Sequence, residues 1–245
     1  MRKLFTILTL TGIAMFAASA AKGARQYEEI QVTNGGAISG KVLLGNAKAE
    51  SETIPITKDH HSCGTGTRTV EWVRANGDAL LDVVVYLENV EVGKLFSEKA
   101  KAVVVDQVNC HFTPYLQVMA NGGEVKALNS DPAWHSVHIY EIIKEKRRTL
   151  FNYSQPQSRM GITNQIKLRQ GLALKFECDS HEFMHGWIFV ARNPYYAVVD
   201  EHGAFTITDV PPGSYVVKSW HGRLGEQELT AEVKAGDNTA VTFSY

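Results

Sequence analysis

The sequence predicts an all-β protein, and three observations carry that prediction. Residues 37–44 (Ala-Ile-Ser-Gly-Lys-Val-Leu-Leu) alternate apolar and polar and run into a Gly-Asn turn, the period-two pattern of a half-buried strand. Residues 80–87 (Leu-Leu-Asp-Val-Val-Val-Tyr-Leu) form a longer apolar run, and short strand-like stretches recur at 102–106, 115–119, 124–128, 136–140, 165–168, 173–177 and 187–191. Asn121-Gly-Gly, Asn129-Ser-Asp-Pro and Arg169-Gln-Gly punctuate them with residues that favour turns. Strands at this spacing predict a sandwich or barrel. Helix is scarce: only 142–150, carrying Lys144, Lys146, Arg147 and Arg148, reads as a single turn or a loop.

The first residues read as an export leader. Arg2 and Lys3 precede an apolar run at 4–18, and Ala18-Ser-Ala20 offers small residues for cleavage. The run is short for a membrane span, and no second run of spanning length follows. The expected mature chain begins near Ala21, is periplasmic or secreted, and has no membrane span. Losing two positive charges takes the formal net charge from −1 to −3. A near-neutral chain of about 220 residues gives no reason to expect nucleic acid or an anionic membrane as partner. It is long enough for one large or two small cores.

Three cysteines is an odd number for an oxidising compartment. Cys178 lies in Cys178-Asp-Ser-His181-Glu-Phe-Met184, which places a thiolate, an imidazole and a thioether within seven residues. Chance agreement of His at +3 and Met at +6 from any of three cysteines is roughly 0.002, so coincidence explains the motif poorly. His135, in Asn129-Ser-Asp-Pro-Ala-Trp-His135-Ser-Val-His138, offers a second imidazole. Two His, one Cys and a weakly held Met are the donor set of a mononuclear blue-copper site. The expected metal ligands are therefore His135, Cys178, His181 and Met184, holding one copper ion that cycles between Cu(I) and Cu(II). Coordination also protects a thiol from oxidation. Cys63 and Cys110 are left as the natural disulfide, closing a 47-residue loop worth roughly 3–4 kcal/mol in the chain-entropy model.

The last fifty residues have a different texture. Asp200-Glu-His-Gly203 reads as a hairpin turn and Pro211-Pro-Gly213 as a second reversal, with strands between and after them. Residues 200–217 resemble the Asp-x-x-Gly-x-Phe…Pro-Pro-Gly-x-Tyr stretch of carboxypeptidase regulatory-like domains, small transthyretin-like sandwiches. That family's opening Gly-x-Ile-x-Gly-x-Val occurs here at Gly36–Val42, and Asp82–Leu87 looks like its next core strand. Residues 93–192 resemble a cupredoxin, most nearly the plastocyanin and amicyanin types. The whole chain looks like bacterial secreted proteins that combine the two, sometimes associated with methylamine utilisation. The resemblance is poor over 45–80. It implies a cupredoxin-like Greek-key sandwich (93–192) inserted in, or packed beside, a smaller transthyretin-like sandwich made of 27–92 and 193–245. Insertion into a surface loop is physically ordinary.

The resemblance matches His135 to the family's first imidazole ligand, Cys178 to its thiolate, His181 to its second imidazole and Met184 to its axial thioether. It implies that His181 reaches the surface where electrons enter; Phe183 and Trp134 read as candidate rim residues or as ordinary core. Two residues depart from the family: Ser180 stands where Pro is usual before the second His. Ser136 stands where an Asn often follows the first His and ties the ligand loops together. These departures put redox tuning in doubt more than metal binding.

His138, three residues after His135, faces the other side of a strand and reads as structural or exposed. His185 follows Met184 and could replace or supplement it. His60, His61 and His111 flank the disulfide cysteines and could form a second metal site. His202 and His221 read as turn and surface residues, and the basic cluster at 144–148 as a solvated edge or a docking patch. The expected function is that of an exported one-electron carrier, a monomer or weak oligomer, serving a redox protein such as a cytochrome or periplasmic dehydrogenase. The alternatives are a copper-delivery protein and a non-catalytic envelope binding module. No nucleophile–base pair suggests an enzyme.

Overall fold

In a computed structural model, residues 27–245 are described; the leader reading at 1–20 lies outside them. The described residues are nearly all-β, with two four-residue helices among them, His60–Cys63 and Glu98–Lys101. No helix among the described residues is long and apolar enough to cross a membrane.

Two face-to-face pairs of sheets organise the strands. The first pair holds the candidate metal ligands. One sheet runs His111–Thr113, Ala102–Val108, Glu124–Asn129, Ser158–Gln165 in spatial order. The other runs Leu116–Ala120, His181–Ala191, Ala173–Cys178, His135–Ile143, Lys146–Gln155. Val105, Val125, Ile139, Leu174, Phe176 and Ile188 fill the space between them.

In the second pair, Gly36–Leu43 lies between Ala204–Val210 and Asn238–Ser244. Val83–Leu87 lies between Tyr196–Val198 and Gly213–His221. This core therefore joins segments from both ends of the described chain, with 93–192 leaving and returning between them. Within 27–92, the hairpin Glu50–Pro55/Thr67–Val73 behaves differently: Ile54, Ile56, Cys63 and Val70 pack into the first core instead.

The two continuous apolar runs have a common cause. Along Val83–Leu87 all five residues are buried: Val83, Val85 and Leu87 point into their own sandwich, while Val84 and Tyr86 point out. Along His181–Ala191, Ile188 and Val190 face inward, while Phe189 and Ala191 face out. The outward sets meet, with Tyr86 and Phe189 rings 4.9 Å apart and Trp220 5.6 Å from Phe189. A strand covered on both faces loses its polar alternation, and the aromatic contact fastens one sandwich to the other.

Three expectations are corrected. The run expected at 80–87 is broken at Asp82, which adopts φ 57° and accepts from Arg74 Nε at 2.6 Å. The strand expected at 165–168 lies earlier, at Ser158–Gln165. The turn or loop at 142–150 is instead the head of a long hairpin, His135–Ile143 with Lys146–Gln155. Its two-residue turn has Lys144 at φ 54°. Arg148 Nε donates to the buried carboxylate of Glu141 at 3.0 Å, and Arg147 pairs with Glu177 at 3.0 Å. Two of the four basic residues are thus engaged in holding the sheet.

His221, read as a surface residue, is 3% exposed. Its Nδ1 accepts the backbone N–H groups of Arg223 and Leu224, both at 3.1 Å. Both bonds require a bare Nδ1. Burial is the leading reason that its pKa falls from 6.5 to about 4. The unfolded chain therefore binds a proton that the folded chain refuses between those values. Stability is complete above pH 6.5 and declines as pH falls towards 4, by at most about 3 kcal/mol from this residue. Urea unfolding at pH 7 and pH 4.5 measures the loss. A His221→Gln variant with the same pH slope as the parent would remove His221 as the cause.

Candidate metal centre

His135 opens its strand directly after the Asn129-Ser-Asp131 turn. Asn129 Nδ2 donates to the carbonyls of Ala133 (2.8 Å) and Gln155 (3.0 Å), and Asn129 Oδ1 accepts from Asp131 N–H (3.0 Å). The turn aims the Asp131 carboxylate at three N–H donors: the backbones of Asn109 (2.6 Å) and Cys110 (2.8 Å) and His135 Nε2 (2.9 Å). Cys178 closes the neighbouring strand, and His181 opens the next after a turn of two residues, with Cys178 and His181 in register.

The three predicted strong donors converge. His135 Nδ1 and His181 Nδ1 lie 3.1 Å apart, and Cys178 Sγ lies 3.8 Å from the first and 3.6 Å from the second. His135 is 0% exposed, His181 2% and Cys178 3%. Met184 is buried in the same apolar cluster as Cys178 and Phe183.

The outer nitrogens decide what the inner ones can do. His135 Nε2 faces Asp131, and His181 Nε2 faces Asp59 Oδ2 at 3.0 Å. A carboxylate accepts, so each imidazole carries its proton on Nε2 and presents a bare lone pair at Nδ1. Two lone pairs then face each other beside a thiol, whose single weak S–H donor can serve only one of them; a cation is what satisfies the whole set. Two donors bound to one ion at about 2.0–2.3 Å are separated by no more than about 4.6 Å, and all three separations meet that limit. Thiolate plus two imidazoles suits copper, and anchored outer nitrogens are how proteins orient imidazole ligands.

The electrostatics agree. Burial, followed by the neighbouring His135, holds the His181 pKa below its ordinary value, against the pull of Asp59. It therefore stays neutral and ready to ligate. Burial raises the Cys178 thiol, while the backbone N–H groups of Ser136, Ser180 and His181 draw it back; Ser136 N–H donates to Sγ at 3.3 Å. A cation supplies what is missing to release that proton.

The two departures from the resembled family form a pair. Ser136 Oγ and Ser180 Oγ lie 3.4 Å apart, and Asp179 N–H donates to Ser136 O at 3.3 Å. The ligand loops are therefore tied, by hydroxyls where the family pattern uses Asn. His138 works on the far side as expected of a structural residue: its Nδ1 meets Asp179 Oδ1 at 2.9 Å and its Nε2 meets Thr149 Oγ1 at 2.8 Å.

Other expectations are revised. His181 is not a surface residue: its ring is closed off by Asp59. Phe183 is 5% exposed, with the Arg68 guanidinium over its ring at 4.6 Å; it is core, not rim. Trp134, 62% exposed, is an aromatic at the surface beside His135. His185 stacks on Trp72 and meets Tyr115 Oη at 3.0 Å, and burial lowers its pKa to about 4; it does not join the donor cluster. Neither His60, His61 nor His111 belongs to any group of three metal-type donors among the described residues. Cys110, Asp131 and His135 also converge, but Cys110 is bonded to Cys63 in a disulfide.

Asp131 and Asp59 were missed from sequence. Asp131 had a signal, sitting four residues before His135 in a turn motif. Asp59 had none, lying 122 residues from His181 in the stretch of weakest resemblance.

No protein-family model matches the chain, and no curated protein matches it. Among solved structures it is similar to the reduced Cu(I) form, at pH 4, of an amicyanin point mutant: 18% identity, 37% of this chain, 82% of that one, TM-score 0.30. A purple cupredoxin from Nitrosopumilus maritimus gives 16% identity, 36% and 99% coverage, and TM-score 0.30. A copper-containing nitrite reductase from Thermus scotoductus gives 17% identity, 49% and 25% coverage, and TM-score 0.29; the chain spans a quarter of that enzyme. Overlaps this weak carry no argument about function, which rests on the site itself.

Proposed function

We propose that this chain is an exported, non-catalytic one-electron carrier whose centre is one copper ion held by His135, Cys178 and His181, with Met184 as the weak fourth ligand. The observation that carries the reading is the convergence of two bare Nδ1 lone pairs and one thiol, each imidazole pinned by its own carboxylate. Copper supplies reversible one-electron chemistry between Cu(II) and Cu(I). The protein's part is to hold the donors still. Strand ends fix Cys178 and His181, Asp131 and Asp59 fix the rings, and apolar packing excludes water. Little then needs to rearrange when the charge changes.

The same reading makes 93–192 a cupredoxin-like unit set into a transthyretin-like sandwich of 27–92 and 193–245, in the periplasm or outside the cell. Its partner is then a redox protein such as a cytochrome or dehydrogenase. A copper-delivery role requires an ion that leaves readily, and three donors buried to 3% exposure or less count against it.

One titration tests the proposal. Apo protein given one equivalent of Cu(II) at neutral pH is expected to develop intense visible thiolate-to-copper absorption. That absorption should bleach with ascorbate and return with ferricyanide. A protein that stays colourless sinks the carrier reading, and tight Cu(I) binding without reoxidation moves it to delivery.

A further inference from the structure

Asp59 belongs to no strand of the sandwich that carries the ligands. It sits on the connection between Glu50–Pro55 and Thr67–Val73, just before the helix His60–Cys63, in a left-handed conformation (φ 52°, ψ 38°). That conformation is uncommon outside glycine, although Asp enters it more readily than most residues, and surrounding contacts can hold it in place. Those contacts are present. The N–H groups of Ser62 and Cys63 donate to Asp59 O at 2.9 and 2.8 Å. Four residues on, Cys63 is bonded to Cys110, whose N–H is held by Asp131 Oδ2 at 2.8 Å. Arg68 donates to the carbonyls of both Cys63 and Cys110 at 2.7 Å and covers Phe183. Ile54, Ile56 and Val70 seat the arm in the ligand sandwich's core. Covalent, polar and apolar ties thus converge on one placement. The Asp59 carboxylate, itself 30% exposed, lies over the outer nitrogen of a His181 side chain left 1% exposed.

We propose that this arm is a clasp over the metal centre, with Asp59 as the positioning residue that fixes the second imidazole and closes its edge to solvent. The inference rests on His181 being a copper ligand, as proposed above. It makes two demands on the centre. The ion leaves slowly, because His181 cannot swing away without breaking its bond to Asp59. Electrons cross at another edge of the site, because the His181 ring edge is covered. A carboxylate at this position also adds negative charge beside the ion, which favours Cu(II) and lowers the reduction potential.

The test compares wild type, Asp59→Ala and Asp59→Asn in the full-length protein. In the copper-free state, diethylpyrocarbonate is expected to leave His181 unmodified in wild type and to modify it in Asp59→Ala, as read by mass spectrometry. In the Cu(I) state, transfer of copper to excess bathocuproine disulfonate is expected to be at least tenfold faster for Asp59→Ala. Asp59→Asn keeps an acceptor for Nε2–H. It should retain slow release while its potential rises, a separation that a merely structural role does not produce. Equal His181 reactivity and equal release in wild type and Asp59→Ala overturn the clasp. If wild type takes up no copper yet His181 is protected and Asp59→Ala exposes it, the clasp stands and the copper reading alone falls.

Discussion

Cys178→Ser is expected to abolish the copper-dependent visible absorption completely while leaving the fold intact. The colour of such a centre arises from charge transfer out of the thiolate, and an alkoxide oxygen is no substitute. The fold should persist because the change is small in volume and keeps the local bond. Ser136 N–H now donates to Sγ at 3.3 Å, and a serine oxygen accepts from the same group. Val137, Phe176 and Met184, buried in the same core cluster as Cys178, remain packed there. Optical titration with Cu(II) checks the first half of the expectation, and circular dichroism with thermal unfolding checks the second. An intense visible band surviving in Cys178→Ser places the chromophore elsewhere and refutes the ligand assignment.

The second large effect is on stability. Replacing both Cys63 and Cys110 with Ser is expected to cost about 4 kcal/mol, because the bridge closes a loop of sequence separation 47 and the unfolded chain regains that freedom. For a protein of this size such a loss corresponds to a fall in melting temperature of roughly 10 °C. Calorimetry of the double variant against wild type measures it. The loss should concentrate where the bridge acts, between the hairpin arm and the ligand sandwich, so arm backbone amides should exchange faster with solvent than those of Val83–Leu87. A drop of only a degree or two would mean that Ile54, Ile56 and Val70 hold the arm without covalent help.

The central motif was legible because its chemistry is local. Cys178, His181 and Met184 lie within seven residues, and a strand end followed by a tight turn brings Cys178 and His181 together whatever else the chain does. His135 was legible by residue type and order, and the disulfide by counting an odd cysteine out. The all-β class followed from alternation and turn residues. The head of the hairpin at 142–150 was misread because Lys146–Arg148 is exposed on both faces, so no alternation marks it as strand; its partner strand holds it through the backbone ladder. His221 was misread because nothing adjacent in sequence reveals that Arg223 and Leu224 turn back to cap its ring.

Spacing along the chain thus determined which donors exist and that they are soft enough for copper. Folding alone decided their surroundings. His181 is buried rather than at the surface because a carboxylate 122 residues away is carried over it by an arm that seats Ile54, Ile56 and Val70 in the same core as Cys178. The runs at Val83–Leu87 and His181–Ala191 are apolar throughout because two sandwiches face each other across them. Burial, the partner of a ring nitrogen and the covering of an edge are properties of long-range contacts. Local residue patterns do not encode them, and they set how a ligand set behaves once it is assembled.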